Sequence, residues 1–343
     1  MTLKIGRLHA GLTALACLGL AAAGCSSSGG SNAGATKRPS PSGTANVAYA
    51  ASLAYLNEQV FGPAFTKAKG YKYLGTPGPS DGLSAEIAAK TIFPNVFISV
   101  GGTPITDLGS KFTKWYVQYA STSIVVAYNP SSKYAPQFKA IASGKKPLAD
   151  LFALMQQPGF KLGRTDPNTD PQGRAFIYML ELAQMKYHLA KDTVTKILGG
   201  PLASAKSDQI FEEAALDSRL QAGQLDAASA YLSQAKQLHL HYISLPADIN
   251  LGEAAMADQY AKASITITST TGKVTKTGSP LVLDITTISG AKDAAAGNAF
   301  VAYVLSPAGR ALYAKQGGYT LLTPTLTGPS SAVPASIRNE LGG

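Results

Sequence analysis

From residue 46 to residue 319, short apolar, β-branched runs alternate with longer segments of helical spacing, and no other feature constrains the fold as strongly. "NVAYAAS" (46–52) reads as a buried strand entering a small-residue turn, and "LAYLNEQVFGPAF" continues with helical spacing. "PSDGLSAEIAAKTI" is a turn and a helix, "NVFISVGG" (95–102) a strand ending in glycines, and "YASTSIVVAYNP" (119–130) a strand stopped by Asn-Pro. "KPLADLFALM" reads as a short amphipathic helix and "FKLGRT" as a strand-like run. A helix follows Asp170 to about Leu189, "FEEAALDSRLQAG" is helical with a stop at Gly223, and "LDAASAYLSQAKQL" turns from strand into helix. "HLHYISLP" is a strand, "SITITSTTGKVTKTG" (264–278) a hairpin and "SPLVLDITTISG" a strand. A helical hairpin broken at Ser306-Pro307 ends the pattern.

Strands alternating with helices imply an α/β fold with parallel sheets, which bind ligands at the carboxyl ends of strands, where helices begin. Four strand-to-helix junctions carry small hydroxyl, Gly or Asp residues, near Ser52, Ser80, Asp170 and Tyr231. A helix start with free N–H groups is an anion site. Each residue also has a plain structural reading: Ser52, Ser80 and Asp170 as N-caps, Tyr231 as core. In "GRTDPNTDPQGRAF" (163–176), Asp170 is placed as N-cap and Pro171 at the first helical position. Gly173 lowers helix propensity there but permits close approach to the backbone.

The first 24 residues have a basic start (Lys4, Arg7), an apolar run from about Leu12 to Ala23, then Ala-Gly-Cys, which is the anatomy of an export signal. The "LAAAGC" ending resembles a bacterial lipobox, which implies cleavage before Cys25 and lipid attachment to its thiol; the alternative is an ordinary signal peptide cut near Ala22 to Gly24. Cys17 and Cys25 are the only cysteines, so the body has no disulfide, thiolate metal site or thiol nucleophile. Residues 25–45 read as a lipid-anchored flexible linker of Ser, Gly and Pro. Lys4, Arg7, Lys37 and Arg38 account for four of the +10 net charges, leaving +6 on the body. Those basic residues are scattered, without the clustering of a nucleic-acid surface.

Enzyme signatures are weak. Ser143 and Lys146 fit S-x-x-K, and Lys276-Thr277-Gly278 spells KTG, two elements of penicillin-interacting enzymes. The middle S-D-N element is absent, and Pro147 spoils a helix carrying both Ser143 and Lys146. His239 and His241 place two imidazoles on one face of a strand without a third metal ligand. No phosphate loop or dinucleotide fingerprint occurs.

"GRTDPNTDPQGR" with "LELAQ", followed by "LQAGQLDAASAYLSQAKQLHLHYISLPADINLG" (220–252), resembles the periplasmic molybdate/tungstate-binding proteins of ABC importers, in particular their tungstate/molybdate branch. "AYAASL" resembles that family's A-G-S-L turn, "PSDGLSAEI" its G-S turn, and "SPAGRALYAKQGGYTLLTP" its closing helix. The resemblance implies a two-lobed periplasmic binding protein of type II-like architecture, with two mixed sheets flanked by helices and a two-strand hinge. It places the crossings near Ala127 and Asp284, so that residues 46–127 and 285–343 form lobe I and 128–284 lobe II. Ser52 and Ser80 from the first lobe, and Asp170 and Tyr231 from the second, would close on one oxyanion. In that branch two carboxylates complete six-coordination of the metal centre, which makes Asp170 a possible direct ligand to the molybdenum or tungsten. The second is a Glu immediately before the motif Tyr, where this chain has Ala230. Asp170 as a lone ligand, Asp170 as a helix cap only, and substitution by another acid such as Glu212 or Glu213 all remain open.

The resemblance implies a monomeric, extracytoplasmic, lipid-anchored solute-binding protein that delivers molybdate or tungstate to a membrane permease. No enzymatic activity, no cofactor beyond the ligand and no nucleic-acid partner is expected. Sulfate or another tetrahedral oxyanion is the alternative ligand, and a cell-envelope serine hydrolase the alternative of another class.

Overall fold

A computed structural model describes residues 41–342 except 205–206 and 270–271. The expected signal peptide, Cys25 and most of the expected linker lie outside the described residues. The strands are β1 (Thr44–Ala50), β2 (Lys72–Gly78), β3 (Val96–Val100), β4 (Tyr116–Ser121), β5 (Ile124–Tyr128), β6 (Leu162–Gly163), β7 (Ala227–Tyr231), β8 (His241–Ile243), β9 (Ser264–Ser269), β10 (Gly272–Thr277), β11 (Val282–Thr287) and β12 (Thr320–Thr327). The helices that matter most for the site are α1 (Ser80–Ala88), α2 (Pro171–Lys186), α3 (Glu213–Gln221) and α4 (Leu232–Gln237).

Two lobes result, each built on a mixed sheet. The first has the order β12-β4-β11-β3-β1-β2 and the second β6-β7-β5-β8, with β9 and β10 paired as a separate hairpin. β1 runs parallel to β2 and β3, whereas β4, β11 and β12 pair antiparallel. The sheets are therefore mixed rather than parallel throughout. Central β3 ("VFISV") is buried at every position, as expected of a strand covered on both faces. Helix Ala294–Leu305 covers the first sheet, and its Phe300 packs edge-to-face on Phe61 and Phe65.

The run 119–130 is two strands, not one. Thr122-Ser123 interrupts it, so β4 ends in the six-stranded sheet and β5 begins in the four-stranded sheet. Ala127 lies inside β5 and Asp284 inside β11, and the chain changes sheets at residues 122–123 and 278–281. These two passages touch: the Thr122 N–H donates to the Leu281 carbonyl (3.0 Å). His239 has a positive φ of 53° and precedes β8, so it does not share a strand face with His241.

Candidate functional site

The carboxyl ends of β1 and β3 point at the second lobe, and the residues after them line a cleft between the lobes. Ala50, Ala51 and Ser52 follow β1; Gly78, Pro79 and Ser80 lead from β2 into α1; Val100 ends β3. The opposite wall is Asp170, Pro171, Glu213 and Tyr231. Ser52, Ser80, Asp170 and Tyr231 thus meet around one narrow crevice, with about 160 Å³ of empty space, open solvent included.

Each residue is placed by local chemistry. Asp170 is the N-cap of α2, with extended backbone (φ −124°, ψ 122°) and Oδ1 accepting from the Gln172 N–H at 2.8 Å. Pro171 fits the first helical position, where no N–H is needed. Gly173 is explained by the loop before the helix: a Cβ there would lie 2.5 Å from the Thr165 carbonyl oxygen. What approaches the backbone is therefore the chain itself, folded tightly against its own helix start. Ser80 opens α1, and its Oγ accepts from the Val100 N–H at 3.3 Å. Ser52 is buried in a short 3-10 turn after β1. Tyr231 ends β7, and its buried hydroxyl has no hydrogen-bond partner among the described residues.

Glu213 is the additional member of this wall. It is the first residue of α3, buried at 5% exposure, whereas Glu212 beside it is exposed. Its Oε1 accepts from Gln172 Nε2 at 2.7 Å. The Ser229 hydroxyl donates to Gln172 Oε1 (3.0 Å), and Gln234 Nε2 donates to Asp217 Oδ2 (2.6 Å). Gln172 thus ties the acidic wall together, with its backbone on Asp170 and its side chain on Glu213.

The electrostatics are unusual for an anion site, because no lysine or arginine lines the cleft. Burial pushes the Asp170 carboxyl up to about 6, against the Gln172 N–H and the Arg174 charge, which pull it down. Glu213 lies well above the ordinary glutamate value because it is buried and faces Asp170 and Asp217. Burial also raises Asp217 to about 7 and moves the Tyr231 phenol well above its ordinary range. Glu213 and the phenol therefore favour their protonated, hydrogen-bond-donating forms, and Asp170 does so below about pH 6. Three helix starts, those of α1, α2 and α3, add partial positive charge at the same place.

The residues of the enzyme-like motifs lie elsewhere. The Ser143 hydroxyl donates to the Ala140 carbonyl at an exposed helix end, and Lys276 pairs with Asp107. Among the described residues there is no group of three or more His, Cys, Asp or Glu able to hold a metal ion. No helix among them is long and apolar enough to cross a membrane.

Known proteins share this organisation. An uncharacterized solute-binding protein of Petrotoga mobilis is 29% identical over 220 residues, covering 62% of this chain and 64% of that protein. The chain thus spans less than two thirds of that relative's length. The molybdate/tungstate-binding protein WtpA of Pyrococcus abyssi is 30% identical over 254 residues, 64% of this chain and 71% of that one. In fold, the periplasmic molybdate-binding protein of Azotobacter vinelandii superposes with a TM-score of 0.51 at 16% identity, covering 81% of this chain and 99% of that chain. Residues 45–318 match the bacterial extracellular solute-binding proteins, and the chain belongs to that family.

Proposed function

We propose that this protein captures molybdate or tungstate outside the cytoplasm and hands it to a membrane permease, without catalysing a reaction. The observation that supports this most is the cleft itself. It is small, closed by both lobes, and ringed by hydroxyls and helix starts in place of side-chain cations. Such a ring suits a compact dianion, because hydroxyl and N–H donors in a desolvated site make strong charge-assisted hydrogen bonds. Ser52, Ser80 and the unpartnered Tyr231 hydroxyl supply donors. Asp170 keeps one oxygen on its helix cap and offers its carboxyl to the ligand as a donor once a proton is bound. Glu213 from α3 supplies the second carboxyl that position 230 lacks. Attachment of Cys25 to lipid would hold the body at the outer membrane face, within reach of the permease.

Calorimetric titration with molybdate, tungstate, sulfate and phosphate tests the reading. Tight binding of molybdate and tungstate with no heat from sulfate is the expected result. Stronger binding of sulfate would mean that Ala230 marks a change of ligand, and silence from all four would overturn the reading.

A further inference from the structure

Asp81 follows Ser80 at the start of α1, and Arg174 lies one helical turn after Asp170 in α2. These charged neighbours of two cleft residues meet across the opening. Arg174 Nη2 is 2.5 Å from Asp81 Oδ2, and the side chains are only 8% and 18% exposed. The guanidinium is anchored to its own lobe, where Nη1 donates to the Pro167 carbonyl at 3.0 Å. It therefore reaches Asp81 from a fixed base. A second pair, Lys276 with Asp107 at 3.5 Å, also joins the hairpin to the first lobe, but its Asp is 57% exposed. Water and salt screen that outer pair, whereas the inner one is shielded.

We infer that Asp81 and Arg174 form a latch that holds the lobes closed over the ligand and sets how long it stays. This rests on the proposed reading of the cleft as the ligand site. Arg174 does not line the cleft; it pairs with Asp81, and its charge also pulls the Asp170 carboxyl down from a distance. Separation of the lobes breaks the pair and returns both charges to water, so its contribution belongs to the closed form alone. Because Asp81 adjoins Ser80 and Arg174 shares a helix with Asp170, movement that assembles the cleft also assembles the pair. Removing one partner of such a shielded pair acts mainly on the dissociation rate, by roughly thirtyfold or more.

The test measures release of radioactive molybdate by rapid filtration from the wild type, Asp81→Asn, Arg174→Gln and the double variant, with small-angle scattering of the ligand-free proteins. Release should quicken by about thirtyfold in each single variant, and the double variant should release no faster than the quicker single, because both remove one interaction. Thermal unfolding should remain close to wild type. In scattering, Asp81→Asn should enlarge the ligand-free protein, and high salt should not reproduce the effect. Unchanged release in Asp81→Asn, or single effects that multiply in the double variant, would overturn the latch. If the wild type binds no oxyanion, the reading of the cleft fails on its own; the latch is then judged by scattering, where an unchanged radius in Asp81→Asn overturns it.

Discussion

Asp170→Asn separates the two ways in which a carboxyl can face a dianion. Burial holds the Asp170 carboxyl at about 6, and Glu213 on the same wall keeps its own proton. An approaching dianion favours the protonated form of Asp170 still further. Below pH 6 that proton is already in place; above it, each bound ion must bring a proton, and affinity falls about tenfold per pH unit. At pH 8, two units above, wild-type affinity should be about 100-fold below its acidic plateau, equivalent to about 2.7 kcal/mol. Asparagine has the same shape and cannot ionise, and its Oδ1 can still accept the Gln172 N–H that caps α2. Asp170→Asn should therefore bind with plateau affinity at pH 8 and show no slope. Calorimetry between pH 5 and 8.5, in two buffers of different ionisation heat, reads both quantities. The wild type should take up about one proton per ion at pH 8 and almost none at pH 5. Flat wild-type affinity, together with a loss of about 100-fold or more in Asp170→Asn at every pH, would refute this. That pattern is what an ionised carboxylate bonded directly to the metal centre would give.

Three further outcomes follow from the structure. Tyr231→Phe removes a buried hydroxyl without a protein partner; unfolding temperature should hold or rise slightly, while oxyanion affinity drops about tenfold or more, as expected for a hydrogen bond to a charged acceptor. Gly173→Ala forces a Cβ to within 2.5 Å of the Thr165 oxygen, so thermal or urea unfolding should show a loss of about 1–3 kcal/mol. Asp284, fully buried in β11, is held at about 7 by burial, above its ordinary 3.8. The folded state therefore keeps a proton that the unfolded chain loses. The contribution of Asp284 to stability is fully present below pH 3.8 and is lost as pH rises to about 7, by an amount on the order of 4 kcal/mol. Asp284→Asn should remove this group's share of the slope in urea unfolding and be more stable than the wild type at pH 8.

Much of the fold could be read from local pattern, because buried strands and amphipathic helices write their periods into the chain. β1, β3 and β7 are continuous small or branched apolar runs, and Asp170-Pro171 announces a helix start. β2 was invisible: "KYLGTPG" carries two glycines and a proline, and only its register with β1 at the sheet edge makes it a strand. β12, threonine-rich with Pro324, escaped for the same reason. Ser52, Ser80, Asp170 and Tyr231 were legible because each sits at a strand-to-helix junction. Glu213 and Asp81 carry no such signal. Glu213 and Gln172 are 41 positions apart, and which of two adjacent glutamates turns inward depends on how α3 packs against β7. Asp81 gains its role only when a helix of the other lobe brings Arg174 to it.

The paired passages at Thr122 and Leu281 bear on the entropy of recognition. Two adjacent connections, hydrogen-bonded to each other, leave the lobes little freedom beyond rotation about one common axis. The donors on each wall are fixed within their own lobe by folding, so a ligand entering the cleft orders one swing coordinate instead of several independent side chains. Most of the ordering cost of a multi-residue site is then incurred once, when the protein folds, and not at each capture. Substitutions that loosen the Ser121-Thr122-Ser123 segment should therefore weaken every contact in the cleft together, without touching any of them.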